Sequence, residues 1–439
     1  MRICFLGAGS TVFAKNVMGD CIMTPELGEF EIALHDINEK RLEESFKVIS
    51  KLNEKYKGKA TVLKFLDRRE ALKGANFIIN AIQVGGYKPC TVTDFRIPRR
   101  YGLQQTIGDT LGVGGIMRAL RTFPVLQEFA ADIEEICPDA YFLNYSNPMA
   151  MLTGYLLSNT KVKAVGLCHS VQSCVPRLLK ELKIDIDPET TKWEIYGINH
   201  QSWLLSIKDK DGKDLYPEIK RIAKGRKPTL FAFADKVRLK MMDTFGYYIT
   251  ESSEHTSEYV PWFIKRFNLL YLAKYLIPLN EYPRRCRWQI FRWNNTARKI
   301  NRGEILDHKL SKEYGSRIIK GIWTNEQYNF HGSVLNTEGL IPNLPREACV
   351  EIPIICDKDG FHPQACQPLP EQCAAINCSN ITPQLLTLKA ASTGCLQDIV
   401  HAVAMDPHTG AVLTLESIEK MTRALYKKHR KDGYMPEYK

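Results

Sequence analysis

At 439 residues the chain is too long for one simple core, so two closely packed domains are expected. Its hydrophobic (44%) and charged (25%) fractions are those of an ordinary globular protein. The formal net charge of +11 is spread along the chain with no accompanying binding module, which argues against nucleic acid as a partner.

The chain opens with Arg2-Ile3-Cys4-Phe5-Leu6, a short buried-strand pattern, and passes directly into Gly7-Ala8-Gly9-Ser10. We expect no secretory leader from such a start. The thirteen cysteines are scattered, several in apolar contexts where a thiol behaves as a small hydrophobe, and Cys366, Cys373 and Cys378 lack the paired spacing of a zinc ribbon. No stretch reaches membrane-spanning length, so a reduced, cytoplasmic setting without membrane attachment is expected.

Helical spacing follows from Thr11 to Asp20. Strand, glycine turn and helix is the context of a phosphate-binding turn: Gly7 permits the tight turn, Gly9 lets the backbone approach a pyrophosphate, and Ser10 opens the helix whose N-terminus faces the anion. The third glycine of the usual fingerprint is replaced by Val12. A second strand, 31–35, ends at Asp36, where an acid accepts hydrogen bonds from the adenosine ribose and favours NAD over NADP. The same residue also reads as a cap for the helix starting near Glu39.

Further strands are predicted at Asn76 to Ile82 and Ala140 to Leu143, with a helix from Met117 to Ile136 between them. This alternation predicts parallel βαβ units: a Rossmann-like α/β domain, doubly wound, over residues 1–190. The loops at 83–87 and 144–148 then leave the carboxyl ends of strands, where open α/β sheets bind ligands. Cys168 and His200 carry the two ligand types that a borderline divalent metal accepts. They read equally as a buried strand-end thiol and a hydrogen-bonded core histidine.

The turn at 7–10, Val84-Gly85-Gly86, Asn147-Pro148-Met149, Cys168-His169-Ser170 and Gly197-Ile198-Asn199-His200 together resemble glycoside hydrolase family 4, whose nucleotide fold is that of lactate and malate dehydrogenases. The stretches Gly108 to Arg121, Cys168 to Gln172, Thr250 to His255 and Asp406-Pro407-His408-Thr409 resemble its melibiase-type α-galactosidases. The resemblance implies NAD and usually manganese as cofactors, a small α-galactoside as substrate, and a homo-oligomer. It also implies a redox-assisted elimination in place of two-carboxylate hydrolysis. The sugar would be oxidised at C3, deprotonated at C2, lose its C1 substituent, take up water and be re-reduced.

On this resemblance Cys168 and His200 hold the metal, leaving positions open for the sugar. His169 is either the acid that assists the leaving group or a selector of sugar hydroxyls. Glu251 is placed as the C2 base, with Tyr259 and His255 as neighbouring candidates; an acid at a helix N-terminus is the plainer reading of Glu251. Asn147 is expected to fix sugar hydroxyls or to form a turn. Asp109 is expected to bind sugar or to shape its glycine-rich loop, and Arg284 and Arg285 to reach the substrate or to form surface ion pairs.

The rhythm changes near residue 190, and residues 191–439 are expected to form an α+β domain carrying the sugar pocket. Strands are predicted at 203–207 and 348–356, a hairpin turn at 209–212, and helices at 382–404 and 414–428. The stretch 285–330 is expected to be mobile or to contact a second copy. The rival functions are α-galacturonidase, with a basic residue on the C6 carboxylate, and a 2-hydroxyacid dehydrogenase, which leaves Cys168 and His200 unexplained.

Overall fold

The computed structural model describes residues 1–225, 235–266, 268–304 and 306–439. Its first half is a parallel sheet built from β1 (Arg2–Leu6), β2 (Phe30–His35), β3 (Ala60–Phe65), β4 (Phe77–Asn80), β5 (Tyr141–Asn144) and β6 (Lys163–Gly166). The spatial order is β3-β2-β1-β4-β5-β6, so the winding reverses between β1 and β4. Residues Ile3 to Leu6 and Phe77 to Ile79 are almost wholly buried, because helices cover both faces. The predicted strands 31–35, 76–82 and 140–143 are all present within a few residues.

The sheet does not stop at the end of the nucleotide fold. It continues through β10 (Tyr328–Leu335), which runs antiparallel to β6 and pairs Ser333 with Gly166. Beyond it lie β11 (Cys349–Asp357), β7 (Lys192–Ile198), β8 (Gln201–Lys208) and the short β9 (Tyr248–Ile249), all antiparallel, with β12 (Gly360–Pro363) on the far part of β11. The second half thus supplies strands to the first half's sheet instead of building its own. It also supplies helices to the same core: Leu396–Ala404 and Leu415–Lys431 pack with Val92–Arg100 and Gly112–Ile136 around one apolar cluster.

Two helix expectations need correction. The helix expected over 382–404 is two, Glu371–Thr393 and Leu396–Ala404, divided at Gly394. That glycine takes φ +64, the left-handed turn that ends a helix at low cost. The helix expected from Met117 begins five residues earlier, at Gly112, because glycines at 112, 114 and 115 conceal its first turn. In the stretch 285–330, Glu281–Asn301 and Gly315–Thr324 are helical, and the first leaves Trp288 and Phe291 more than half exposed; Ile305 lies outside the described residues.

A buried charge cluster ties the last long helix to the nucleotide loop. Arg121 Nη2 lies 2.8 Å from Asp94 Oδ2, and His429 Nε2 lies 2.7 Å from Asp94 Oδ1. Arg121 Nε donates to the Val84 carbonyl at 3.1 Å. Burial raises the Asp94 pKa, but Arg121 and His429 outweigh it, and the carboxyl is held below its ordinary value. Its stabilisation is therefore complete above the ordinary carboxylate range and lost as pH falls through the lowered value. Replacing Arg121 by Ala strands a buried carboxylate and should cost about 3–5 kcal/mol in urea denaturation at neutral pH. A loss below about 1 kcal/mol would show that the cluster does not hold the fold.

Candidate active site

The glycine turn sits where the sequence places it, between β1 and the helix Thr11–Ile22. Gly7 has φ +88, and a Cβ there would lie 2.8 Å from the Ala81 carbonyl. At Gly9 a Cβ would lie 2.6 Å from Asp36 Oδ2, which accepts the Gly9 N–H at 2.7 Å. Asp36 Oδ1 accepts the N–H of Asn38, and Asn38 itself caps the helix Glu39–Lys55. The acid at the end of β2 is thus locked onto the turn, with Ser10 exposed beside it. Under the loop leaving β5, Asn80 donates to Asn144 (2.9 Å), and Ser146 donates to the Ile82 carbonyl (2.9 Å), joining the loops after β4 and β5. Asn147 is half-buried at the exit of β5.

Three donors converge beyond these loops. Cys168 follows β6, His200 lies in the two-residue turn joining β7 to β8, and Glu251 follows β9. Their ligand atoms lie within 4.8 Å of one another. His200 Nε2 is 3.7 Å from Glu251 Oε2. Both His200 and Glu251 take φ +66, a conformation that costs a non-glycine residue about 1–3 kcal/mol and persists only where the surroundings impose it. Burial lowers the His200 pKa, but the Cys168 sulfur and the Glu251 carboxylate outweigh it and push the imidazole up to about 10. Burial likewise opposes ionisation of Glu251, yet His200 and His255 hold it down at about 2. One sulfur, one imidazole and one carboxylate that demand a positive charge among them fit a divalent metal.

Tyr314 and Glu351, which the sequence reading did not identify, hold these donors together with Tyr259, which it did. The Tyr314 hydroxyl accepts the Cys168 N–H at 2.9 Å and lies within hydrogen-bond distance of the Cys168 and His331 carbonyls. Glu351, buried on β11, receives Asn199 at 3.2 Å and Ser202 at 2.7 Å, fixing the turn that carries His200. Tyr259 is fully buried, and its hydroxyl faces His200 Nδ1 at 3.0 Å and His255 Nδ1 at 2.5 Å. A hydroxyl on Nδ1 leaves Nε2 for the metal.

His169 caps the helix Ser170–Leu182, and its ring, about half exposed, lies 2.8 Å from Glu313 Oε1 through Nε2. Burial acts against its protonation, but Glu313, Cys168 and Glu251 outweigh it and raise its pKa. Asp109 is nearly buried; its Oδ1 accepts the Thr110 hydroxyl at 2.8 Å, and its charge bears on His200 and His255. Arg285 is engaged by two carboxylates, Glu254 (2.5 Å) on the helix Ser253–Tyr259 and Glu281 (2.9 Å) on its own helix, and Arg284 pairs with Glu281 within that helix, so both arginines are taken up in ion pairs.

Residues 2–184 match the family described as Family 4 glycosyl hydrolase, and residues 195–409 match the Family 4 glycosyl hydrolase C-terminal domain. The chain belongs to this family. It is 51% identical to an alpha-galactosidase of Bacillus subtilis (strain 168), over 100% of both chains. It is 34% identical to an alpha-galactosidase of Rhizobium meliloti (strain 1021), covering 100% of this chain and 89% of the other. Among solved structures, a 6-phospho-alpha-glucosidase from gut microorganisms, in complex with NAD and Mn2+, superposes with a TM-score of 0.84 at 21% identity, covering 100% and 99% of the two chains.

Tyr259→Phe should weaken divalent-metal binding by about 10–100-fold while activity returns at saturating metal. Metal titration followed by steady-state kinetics measures both. A kcat that stays depressed at saturation would give Tyr259 a part in proton transfer.

Proposed function

We propose that this chain is an α-galactosidase that uses NAD and a divalent metal, manganese, to cleave small α-galactosides by elimination and hydration. The observation that carries this reading is the donor cluster Cys168–His200–Glu251 set against a nucleotide turn. Full-length similarity to the alpha-galactosidases supports the choice of sugar. When bound, NAD supplies the hydride acceptor and donor for sugar C3, and the metal polarises the C2 and C3 oxygens, acidifying the C2 proton.

The turn at Gly7, Gly9 and Ser10, at the N-terminus of the helix Thr11–Ile22, would receive the pyrophosphate, and Asp36, which holds the Gly9 N–H at the end of β2, would turn to the ribose. Cys168 and His200 would hold the metal. Glu251 faces the same donors, from where its carboxylate would accept the C2 proton. His169, its ring held by Glu313 at 2.8 Å, would deliver a proton to the leaving oxygen as the C1–O bond breaks. Water then adds at C1, and the same two residues act in reverse. Tyr259 acts as a positioning residue, fixing the His200 tautomer. Asn147 and Asp109 bind sugar hydroxyls.

Turnover in deuterated water with NAD in catalytic amounts should place deuterium at C2 of the released galactose. Glu251→Gln should lower kcat by about 10²–10⁴-fold and abolish the label while keeping manganese affinity. Unlabelled product from the unmodified enzyme would overturn the elimination. Loss of metal binding in Glu251→Gln would move Glu251 from base to ligand.

The exposed Trp288 and Phe291 on the helix Glu281–Asn301 support a homo-oligomer. Light scattering at micromolar concentration checks it, and a monomer would overturn it. Free thiols at all thirteen cysteines and the use of NAD support a cytoplasmic setting. Cell fractionation tests that.

A further inference from the structure

The helix Glu281–Asn301 is fastened at both ends and stands clear of the fold in its middle. At its start the backbone N–H groups of Asn280 and Tyr282 donate to the carbonyls of Gln105 and Thr106, and Arg285 pairs with Glu254. Towards its end Trp293 Nε1 donates to Glu44 Oε2 at 3.0 Å, and Ala297 and Ile300 are buried. Glu44 belongs to the helix Glu39–Lys55, which follows Asp36 in the chain.

Helix positions three or four apart share a face. The inward stripe is Tyr282, Cys286, Gln289, Trp293, Ala297 and Ile300, and Gln289 is its one exposed member. Residues 287–292 are all exposed, and six residues make more than one full turn of helix. No face of that turn is covered by the described residues, including the face turned towards the fold. A helix open on every side in its middle is a bridge between what holds its two ends. Trp288 and Phe291 lie on the outward side, so a second copy seated on them leaves the inward face free.

The bridge crosses the crevice where the sheet reverses its winding. Besides the helix Glu39–Lys55, which follows β2, it packs against the helical turn Gly86–Thr91, which follows β4. Between β2 and β4 lies β1, and the glycine turn 7–10 leaves its carboxyl end. This is the switch point at which open α/β sheets take their ligands. Ser10 and Ile37, at the ends of β1 and β2, are exposed there.

We propose that this helix is a strap that retains the nucleotide: Gln289 faces NAD bound in the crevice, and the Trp293–Glu44 bond keeps the strap fastened between turnovers. An amide suits that place, because it donates to phosphate and ribose oxygens and accepts from ribose hydroxyls. The inference rests on the NAD-dependent glycosidase reading above. In that reaction the hydride taken from sugar C3 is returned to it, so NAD ends each turnover as it began and need not leave. A 2-hydroxyacid dehydrogenase must exchange its coenzyme at every turnover, and a fastened bridge over the crevice would slow that exchange.

Stopped-flow fluorescence with NADH as the probe tests this on the full-length enzyme with manganese. Mixing gives the entry rate, and displacement by excess NAD gives the exit rate. NADH should leave the unmodified enzyme at least about tenfold more slowly than melibiose is turned over. Trp293→Phe and Glu44→Ala unfasten the strap from opposite sides. In both, entry and exit should quicken together by roughly tenfold, with affinity kept within about threefold. Gln289→Ala removes a contact but leaves the strap fastened, so exit alone should quicken, by about three- to tenfold.

Unchanged entry in both Trp293→Phe and Glu44→Ala overturns the strap and leaves the helix a structural brace. Release of NADH from the unmodified enzyme faster than turnover overturns retention. Absence of saturable NADH binding to the unmodified enzyme overturns the NAD-dependent reading itself.

Discussion

The candidate site depends on the antiparallel junction between β6 and β10. Cys168 leaves a strand of the nucleotide fold, whereas His200 and Glu251 come from strands added beyond it. Only because β10 pairs Ser333 with Gly166 does the sheet continue through β11 and β7 to the turn carrying His200. The junction is sterically tight: a Cβ on Gly166 would lie 2.7 Å from both Met149 Sδ and Thr153 Oγ1 and 2.9 Å from Ser333 Cβ. Tyr314 reinforces the same seam by bonding to the Cys168 backbone on one strand and facing the His331 carbonyl on the other. A shift of the seam would separate the sulfur from the imidazole, so metal affinity and fold share one constraint.

The electrostatics of the donors follow from that closeness. His200 is driven towards its cationic form by the sulfur and carboxylate beside it, and Glu251 towards its anionic form by two imidazoles. The two residues also hold left-handed backbone conformations that neither would adopt alone. Glu351 under the β7–β8 turn and Tyr259 behind the His200 ring impose that geometry, so the donors are arranged before any cation arrives.

What was legible in the sequence was local in the chain. The turn at 7–10 and Asp36 could be read because strand, glycines and acid follow one another at fixed spacing, and in the folded chain Asp36 closes on Gly9 itself. The strands at 203–207 and 348–356 were legible as apolar runs bounded by turns. The helix Glu371–Thr393 was not found from its start, because its first turns mix Cys, Asn, Ser and Ala without a clean apolar stripe. The residues that position the donors were illegible for a different reason. Tyr314 is 146 residues from Cys168, and Glu351 is 152 from Asn199. No periodicity connects such pairs; only the sheet order does, and that order reverses chain order between β10 and β7. Glu251 was reached through family resemblance, since an acid before a helix is by itself an ordinary cap.

The fate of the buried carboxylates explains why redox chemistry suits this site. Direct glycoside hydrolysis needs two carboxyl groups facing the scissile bond, one to protonate and one to attack or activate water. Here the acids near the donors are already engaged. Glu251 faces His200, Glu313 holds His169, Glu351 braces the hairpin turn, and Glu258 accepts the N–H groups of the loop at 106–108. Burial keeps the Glu351 and Glu258 pKa values up, the latter at about 7, and both are committed to holding neighbouring groups. Of these four acids only Glu251 faces the metal donors, and one carboxylate there is not the facing pair that a double displacement needs. It is sufficient to remove one carbon-bound proton once that proton has been made acidic. On the proposed function a bound nucleotide and metal would make it acidic, which would give the turn at Gly7 and the donors at Cys168 and His200 a reason to share one sheet.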